Sequence, residues 1–164
     1  MIKLTNKQIA DFYFRSYISA DGLWFLKVEE ELGFEEALKI DKQVWSVLPK
    51  IQARLLKSFA DKRPEASTLI DCFSTKLKLE GYSFTTENSK NGFKVTINRC
   101  PWHDQMVKSG RKKLSGKIGD VICVMEYKSF ASEFGDKWQI VFDDRICKGE
   151  CSCIVKFDLK RNPL

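Results

Sequence analysis

The sequence predicts an α+β fold: three N-terminal helices, then a four-stranded antiparallel sheet of two hairpins with a buried helix between them. Two observations carry this. Up to about residue 81 apolar residues recur at three- and four-residue steps, and after Gly81 the period falls to two. The two kinds of element are also segregated along the chain, which favours antiparallel hairpins over an alternating parallel sheet. At 164 residues the chain has the size of a single domain, about 100–200 residues. Its helical part covers about 1–81 and its sheet and cysteine-rich part about 82–164.

Each element has its own marks. Thr5 and Gln8 have capping-box spacing, so a helix is expected over 6–32, with Gly33 as its stop. Tyr13, Tyr17, Ala20, Trp24 and Val28 give it an apolar face. A second helix, 35–60, carries Ala37, Ile40, Val44, Trp45 and Leu48, and Pro49 is expected to kink or divide it. Pro64 opens a third, to about 80, through Leu69, Ile70, Phe73 and Leu77. Phe93, Val95 and Ile97 then alternate with polar residues, and Tyr82 to Glu87 is the expected hairpin partner across Asn91-Gly92. A helix over 117–134 ends at Gly135. Trp138, Ile140 and Phe142 form one strand, and Cys151, Cys153, Val155, Phe157 and Leu159 share a face of the last, with Gly149 marking a tight turn between the two.

The composition excludes several classes. With 43% hydrophobic residues and twelve phenylalanines the chain can fill a core, and it does not resemble a disordered segment. The net charge of +6 is diffuse; its tight basic run, Arg111, Lys112 and Lys113, accompanies no nucleic-acid motif. The opening residues MIKLTNKQIADFYF lack the apolar stretch of a signal peptide. A cytoplasmic location is therefore expected, where six cysteines read as core residues, metal ligands or reactive thiols.

Five of the six cysteines lie after residue 99, together with the single histidine, His103. In Cys100-Pro101-Trp102-His103, proline suits a first helical position and places Cys100 at the N-cap, where amides favour a thiolate. The plainer reading is a small apolar cysteine and a hydrogen-bonded histidine. Cys123 and Glu126 stand three apart on a helix apolar on both sides, so a buried Glu126 needs a partner unless it reaches water at the helix edge. Cys147, Cys151 and Cys153 follow around Gly149, the last two alternating inward with Val155. No pair has the CxxC…CxxC spacing of a zinc site. Cys72 sits alone among helical apolar residues and reads as core filling. Asp21, Glu29 and Arg54 are polar residues in apolar helical surroundings; they read as lining of a ligand cavity against the cysteine cluster, or as surface ion pairs.

The stretch DGLWFLKVEEELGFEEALKIDKQVW, with KLKLEGY, CPWH, EYKSFASEFG and CKGECSC, resembles a prokaryotic cytosolic family of unknown function grouped with L-2-amino-thiazoline-4-carboxylic acid hydrolase-like proteins. The resemblance spans nearly the whole chain. It implies a cysteine after the first hairpin, a Cys-x-x-acid pair on a helix and Gly-x-x-x-Cys near the end, matched here by Cys100, Cys123 with Glu126, and Gly149 with Cys153. The hydrolases carry aspartate where this chain has Glu126. The layout is also similar, by architecture alone, to 4-vinyl-reductase-type ligand-binding domains.

Two functions are expected to compete. As a binding module, Cys100, His103, Cys123, Cys147, Cys151 and Cys153 supply ligands for zinc or iron, an iron–sulfur cluster included, or they surround a small molecule. As a hydrolase of a small cyclic amidine or amide, a metal on Cys100, Cys123, Cys153 and His103 activates water with Glu126 as general base. In a metal-free version Cys100 attacks with His103 as its base. The partner expected is a small molecule, with no membrane and no specific nucleic acid; a homodimer stays open.

Overall fold

The computed structural model describes residues 1–61 and 64–160. In order come α1 (Asn6–Leu32), α2 (Phe34–Phe59), α3 (Glu65–Leu79), β1 (Ser83–Ser89), β2 (Gly92–Arg99), α4 (Pro101–Lys108), α5 (Lys112–Ala131), β3 (Trp138–Phe142) and β4 (Cys153–Leu159). Short 3-10 turns occupy Ser132–Phe134 and Ile146–Lys148. The sheet order is β1-β2-β4-β3 with every neighbouring pair antiparallel. The expected α+β class and its two hairpins are therefore present.

The chain groups into two compact units, Met1–Asp41 and Lys42–Leu164. In the first, α1 starts at the anticipated capping box: Gln8 N–H donates to Thr5 Oγ1 and Thr5 N–H to Gln8 Oε1. Gly33 closes it at φ 84°, a conformation that favours glycine. Phe25 of α1 meets the Phe34 ring edge-on at 6.0 Å.

The second unit holds the core. Phe73 of α3 contacts the rings of Tyr127, Phe130 and Phe157, with centroids 4.8, 5.6 and 4.8 Å away. Register builds the sheet's share: Phe93 lies opposite Phe157 and Val95 opposite Val155, and all four are buried. The first pair stacks at 4.5 Å, the cross-strand contact that stabilises a sheet face. Truncating Phe73 to alanine would cost roughly 3–5 kcal/mol, as such losses do in close-packed cores.

Three details differ from the sequence reading. Pro49 lies inside a continuous α2 and does not divide it, because one missing amide is tolerated where the helix is otherwise packed. α5 begins at Lys112, five residues before the expected start, while the preceding α4 is the helix that Pro101 was expected to open. β3 and β4 are not joined by a tight turn at Gly149. Residues 143–152 form a longer connection, in which Gly149 caps the 3-10 turn in the left-handed conformation at φ 104°.

Candidate functional site

Four elements of the second unit bring thiols to one cavity of roughly 70 Å³, lined by Cys100, Cys123, Cys147 and Cys153 among others. Cys100 caps α4, with Pro101 at the first helical position as anticipated, and its Sγ accepts the His103 N–H at 3.5 Å. Cys153 opens β4 and accepts the Ile146 N–H at 3.2 Å. Cys123 comes from the middle of α5, and Cys147 from the 3-10 turn that crosses it.

That crossing depends on two glycines. A Cβ on Gly116 would stand 3.2 Å from the Cys147 carbonyl oxygen, and one on Gly119 would stand 2.9 Å from Cys147 Sγ and 3.8 Å from Cys123 Sγ. Glycine within a helix costs about 1 kcal/mol relative to alanine. Here it lets the turn lie directly on α5, so Cys147 Sγ takes the place a Cβ on residue 119 would need, with Cys123 Sγ close by. Arg145 fastens the arrangement: Nη1 donates to Gly119 O at 3.2 Å and to Asp120 Oδ1 at 2.8 Å, while its guanidinium covers Phe142 at 4.2 Å.

The rest of the wall is mainly apolar, with Tyr82, Trp102, Tyr127 and Phe142 among the lining residues, and Ser115 and Arg145 add polar groups. His103 lines it too, and its Nδ1 lies 2.8 Å from Ser115 Oγ, which fixes the ring. Trp102 stands edge-on to buried Trp45, ring centroids 6.0 Å apart.

This environment keeps the thiols neutral. Burial pushes Cys100 up to about 11, outweighing the His103 N–H that works the other way. Burial likewise raises Cys123 well above the ordinary thiol range, helped by the nearby Glu126 charge, and raises Cys147 and Cys153. The N-cap position of Cys100 does not deliver the thiolate that its sequence context suggests. Desolvation is the larger effect.

The other expected site residues fall elsewhere. Of the two places expected for Glu126, the core or the solvated helix edge, it takes the core, but it does not line the cavity; Lys76 of α3 holds it, and also holds Glu80 at 2.6 Å. Burial alone would lower the Lys76 pKa, but the Glu126 and Glu80 carboxylates raise it, so the amine stays charged between them. Cys151 lies outside β4 and is exposed; the inward alternation starts only at Cys153, where strand pairing begins. Cys72 belongs to the core. Asp21 and Glu29 stand on α1 and are not among the lining residues. Burial raises Asp21 to about 6. Arg54 makes an exposed two-point ion pair with Glu133. All six cysteines are free thiols. Among the described residues, no group of three or more His, Cys, Asp or Glu side chains stands in a metal-holding arrangement, and no helix is long and apolar enough to cross a membrane.

Sequence reasoning passed over Lys76, Gly116 and Gly119. Each left a trace. Lys76 and Glu80 continue the stripe of Leu69, Phe73 and Leu77, where charges are unexpected, and two glycines three apart inside a helix mark a close approach.

Fold and cavity together define an α+β protein with a partly open, thiol-lined pocket beside an antiparallel sheet. The chain belongs to DUF6125, a family of unknown function whose sequence profile matches residues 3–159. Neither a curated protein nor a solved structure matches it. The prokaryotic source and the grouping with amino-thiazoline hydrolases rest on the motif resemblance alone.

Proposed function

We propose that this protein binds a small, uncharged, largely apolar molecule in the cavity between α4, α5 and the sheet. The observation that carries the reading is a wall of neutral thiols and aromatic rings: Cys100, Cys123, Cys147 and Cys153 beside Tyr82, Trp102 and Phe142. Such a wall rewards apolar contact and makes weak sulfur interactions, and it does not compensate a bare charge for leaving water. Free thiols suit a reducing compartment such as the cytoplasm.

The hydrolase reading is weaker on this geometry. The version with Glu126 as general base needs that carboxylate at the cavity wall, whereas Lys76 engages it away from the wall; His103 does line the cavity, with its Nδ1 held 2.8 Å from Ser115 Oγ. The hydrolase reading also needs a thiolate or a metal. With a pKa of about 11, roughly one Cys100 side chain in ten thousand is ionised at pH 7.

One observation favours a second reading, a soft metal ion: the four thiols do converge on one cavity. Zinc or an iron–sulfur cluster would use Cys100, Cys123, Cys147 and Cys153, and loading would have to turn the sulfurs toward a common centre about 2.3 Å from each. Binding would also have to displace protons that burial holds on the thiols.

The test is a titration of tryptophan fluorescence, for which Trp102 serves as reporter, with small neutral heterocycles such as thiazoles and thiazolines. Gly119→Val is the control, because its side chain overlaps Cys147 Sγ and pushes into the wall beside Cys123. Saturable binding to the wild type, weakened at least about tenfold in the variant, is expected. Parallel titration with cobalt(II) separates the readings. Strong thiolate-to-cobalt absorption with no heterocycle binding would replace the proposal by the metal site.

A further inference from the structure

α1 is 27 residues long; one face, with Phe14, Tyr17, Ile18, Asp21 and Phe25, is half-buried, and no side chain is fully buried. Helices in proteins draw most of their stability from packing an apolar face, and α1 carries a second apolar face that stays exposed. Ile9, Phe12 and Tyr13 occupy one end of it and Leu23 and Trp24 the other, with the small residues Ser16 and Ala20 between. Three- and four-residue steps put them all on one side of the helix. Phe12, Tyr13 and Leu23 are 63%, 67% and 58% exposed. A contiguous aromatic surface of this kind marks an interaction site.

Apart from Ile9, which falls opposite Lys27, the pattern reads the same in both directions. Reversed about position 18, Phe12 falls opposite Trp24, Tyr13 opposite Leu23 and Ser16 opposite Ala20. Bulk meets bulk, and the small pair allows close approach at the centre. Charge has the matching polarity. Lys3, Lys7 and Arg15 outnumber Asp11 in the first half, and Asp21, Glu29, Glu30 and Glu31 outnumber Lys27 in the second. A parallel neighbour would set like charges side by side, whereas an antiparallel one sets each basic end against an acidic end.

We propose that this face is a self-complementary interface: α1 packs antiparallel against α1 of a second copy of the chain, with the two-fold axis passing between Ser16 and Ala20. Such an arrangement is isologous, each patch serving as its own partner. The inference is independent of the cavity and its ligand.

The test is sedimentation of the full chain in reducing buffer, which removes any disulfide between exposed Cys151 residues. A concentration-dependent species of twice 19.0 kDa is expected. Ala20→Glu places two carboxylates at the axis and should weaken association by roughly a hundredfold or more, with helical circular dichroism unchanged. Two charge-reversed proteins, Lys3→Glu with Lys7→Glu and Glu30→Lys with Glu31→Lys, should each self-associate poorly and recover dimer when mixed. A protein that stays monomeric at every concentration would overturn the proposal, as would a dimer indifferent to Ala20→Glu. Failure of the mixture to recover would rule out the antiparallel arrangement.

Discussion

Cys100 and Cys151 differ in their access to water, and that difference governs how each reacts. Cys151 is exposed, whereas Cys100 is held near pKa 11 by burial in the cavity wall. Alkylation followed by peptide mapping should label Cys151 first at neutral pH. Labelling of Cys100 should accelerate with each pH unit up to about 11. Fast labelling of Cys100 at pH 7 would mean a stabilised thiolate and would reopen the nucleophile reading. Asp21 offers a second test. Its carboxyl is raised to about 6 by burial, so the folded state holds the proton more tightly than the unfolded chain does. Its contribution is therefore full below the unfolded value near 4 and is lost as pH rises through about 6. Asp21→Asn should raise stability at pH 7 by roughly 1–3 kcal/mol, and denaturant melts at pH 3.5 should show little difference. At this scale the clustering of cysteines after residue 99 picked out the four that line the cavity, and with them Cys151, which does not. Sequence reasoning misjudged the ionisation of the four, because desolvation depends on neighbours that spacing does not reveal.

Among elements, the tie between α3 and α5 matters most. Lys76 sits between Glu80 on its own helix and Glu126 on α5, all three buried. Removing the cation leaves two carboxylates uncompensated in the core, so Lys76→Met should cost about 3–5 kcal/mol. Glu126→Gln keeps the Lys76–Glu80 pair and should cost less. Because Glu126 does not line the cavity, that variant should also bind heterocycles as the wild type does. Equilibrium unfolding and the fluorescence titration check both statements; loss of binding without loss of stability would return Glu126 to the site. The helices and strands themselves were legible, since capping at Thr5, the change of period after Gly81 and the alternation of Phe93, Val95 and Ile97 are local signals. The connection 143–152 was not. Its path is set by Arg145 reaching Gly119 and Asp120, and by the absence of a Cβ on Gly116 and Gly119, contacts made far along the chain.

For the molecule as a whole, the sheet, α3, α4 and α5 belong to one compact unit, and the cavity lies wholly within it. The α+β class followed from the sequence because the two periodicities are segregated. Cys100, Cys123 and Cys153, expected on inward-facing elements, all line that cavity. The occupant was not legible, because a set of thiols is compatible with a metal, a cluster or an apolar molecule until the ionisation of the sulfurs and the shape of the wall are known. The measurement that bears most directly on the occupant is native mass spectrometry of tag-free protein, purified anaerobically in metal-free reducing buffer and then exposed to a mixture of small neutral heterocycles. Wild-type chains should carry no metal and take up one heterocycle each, while Gly119→Val takes up none. Stoichiometric zinc or iron retained from the cell, or equal uptake by both proteins, would contradict the account.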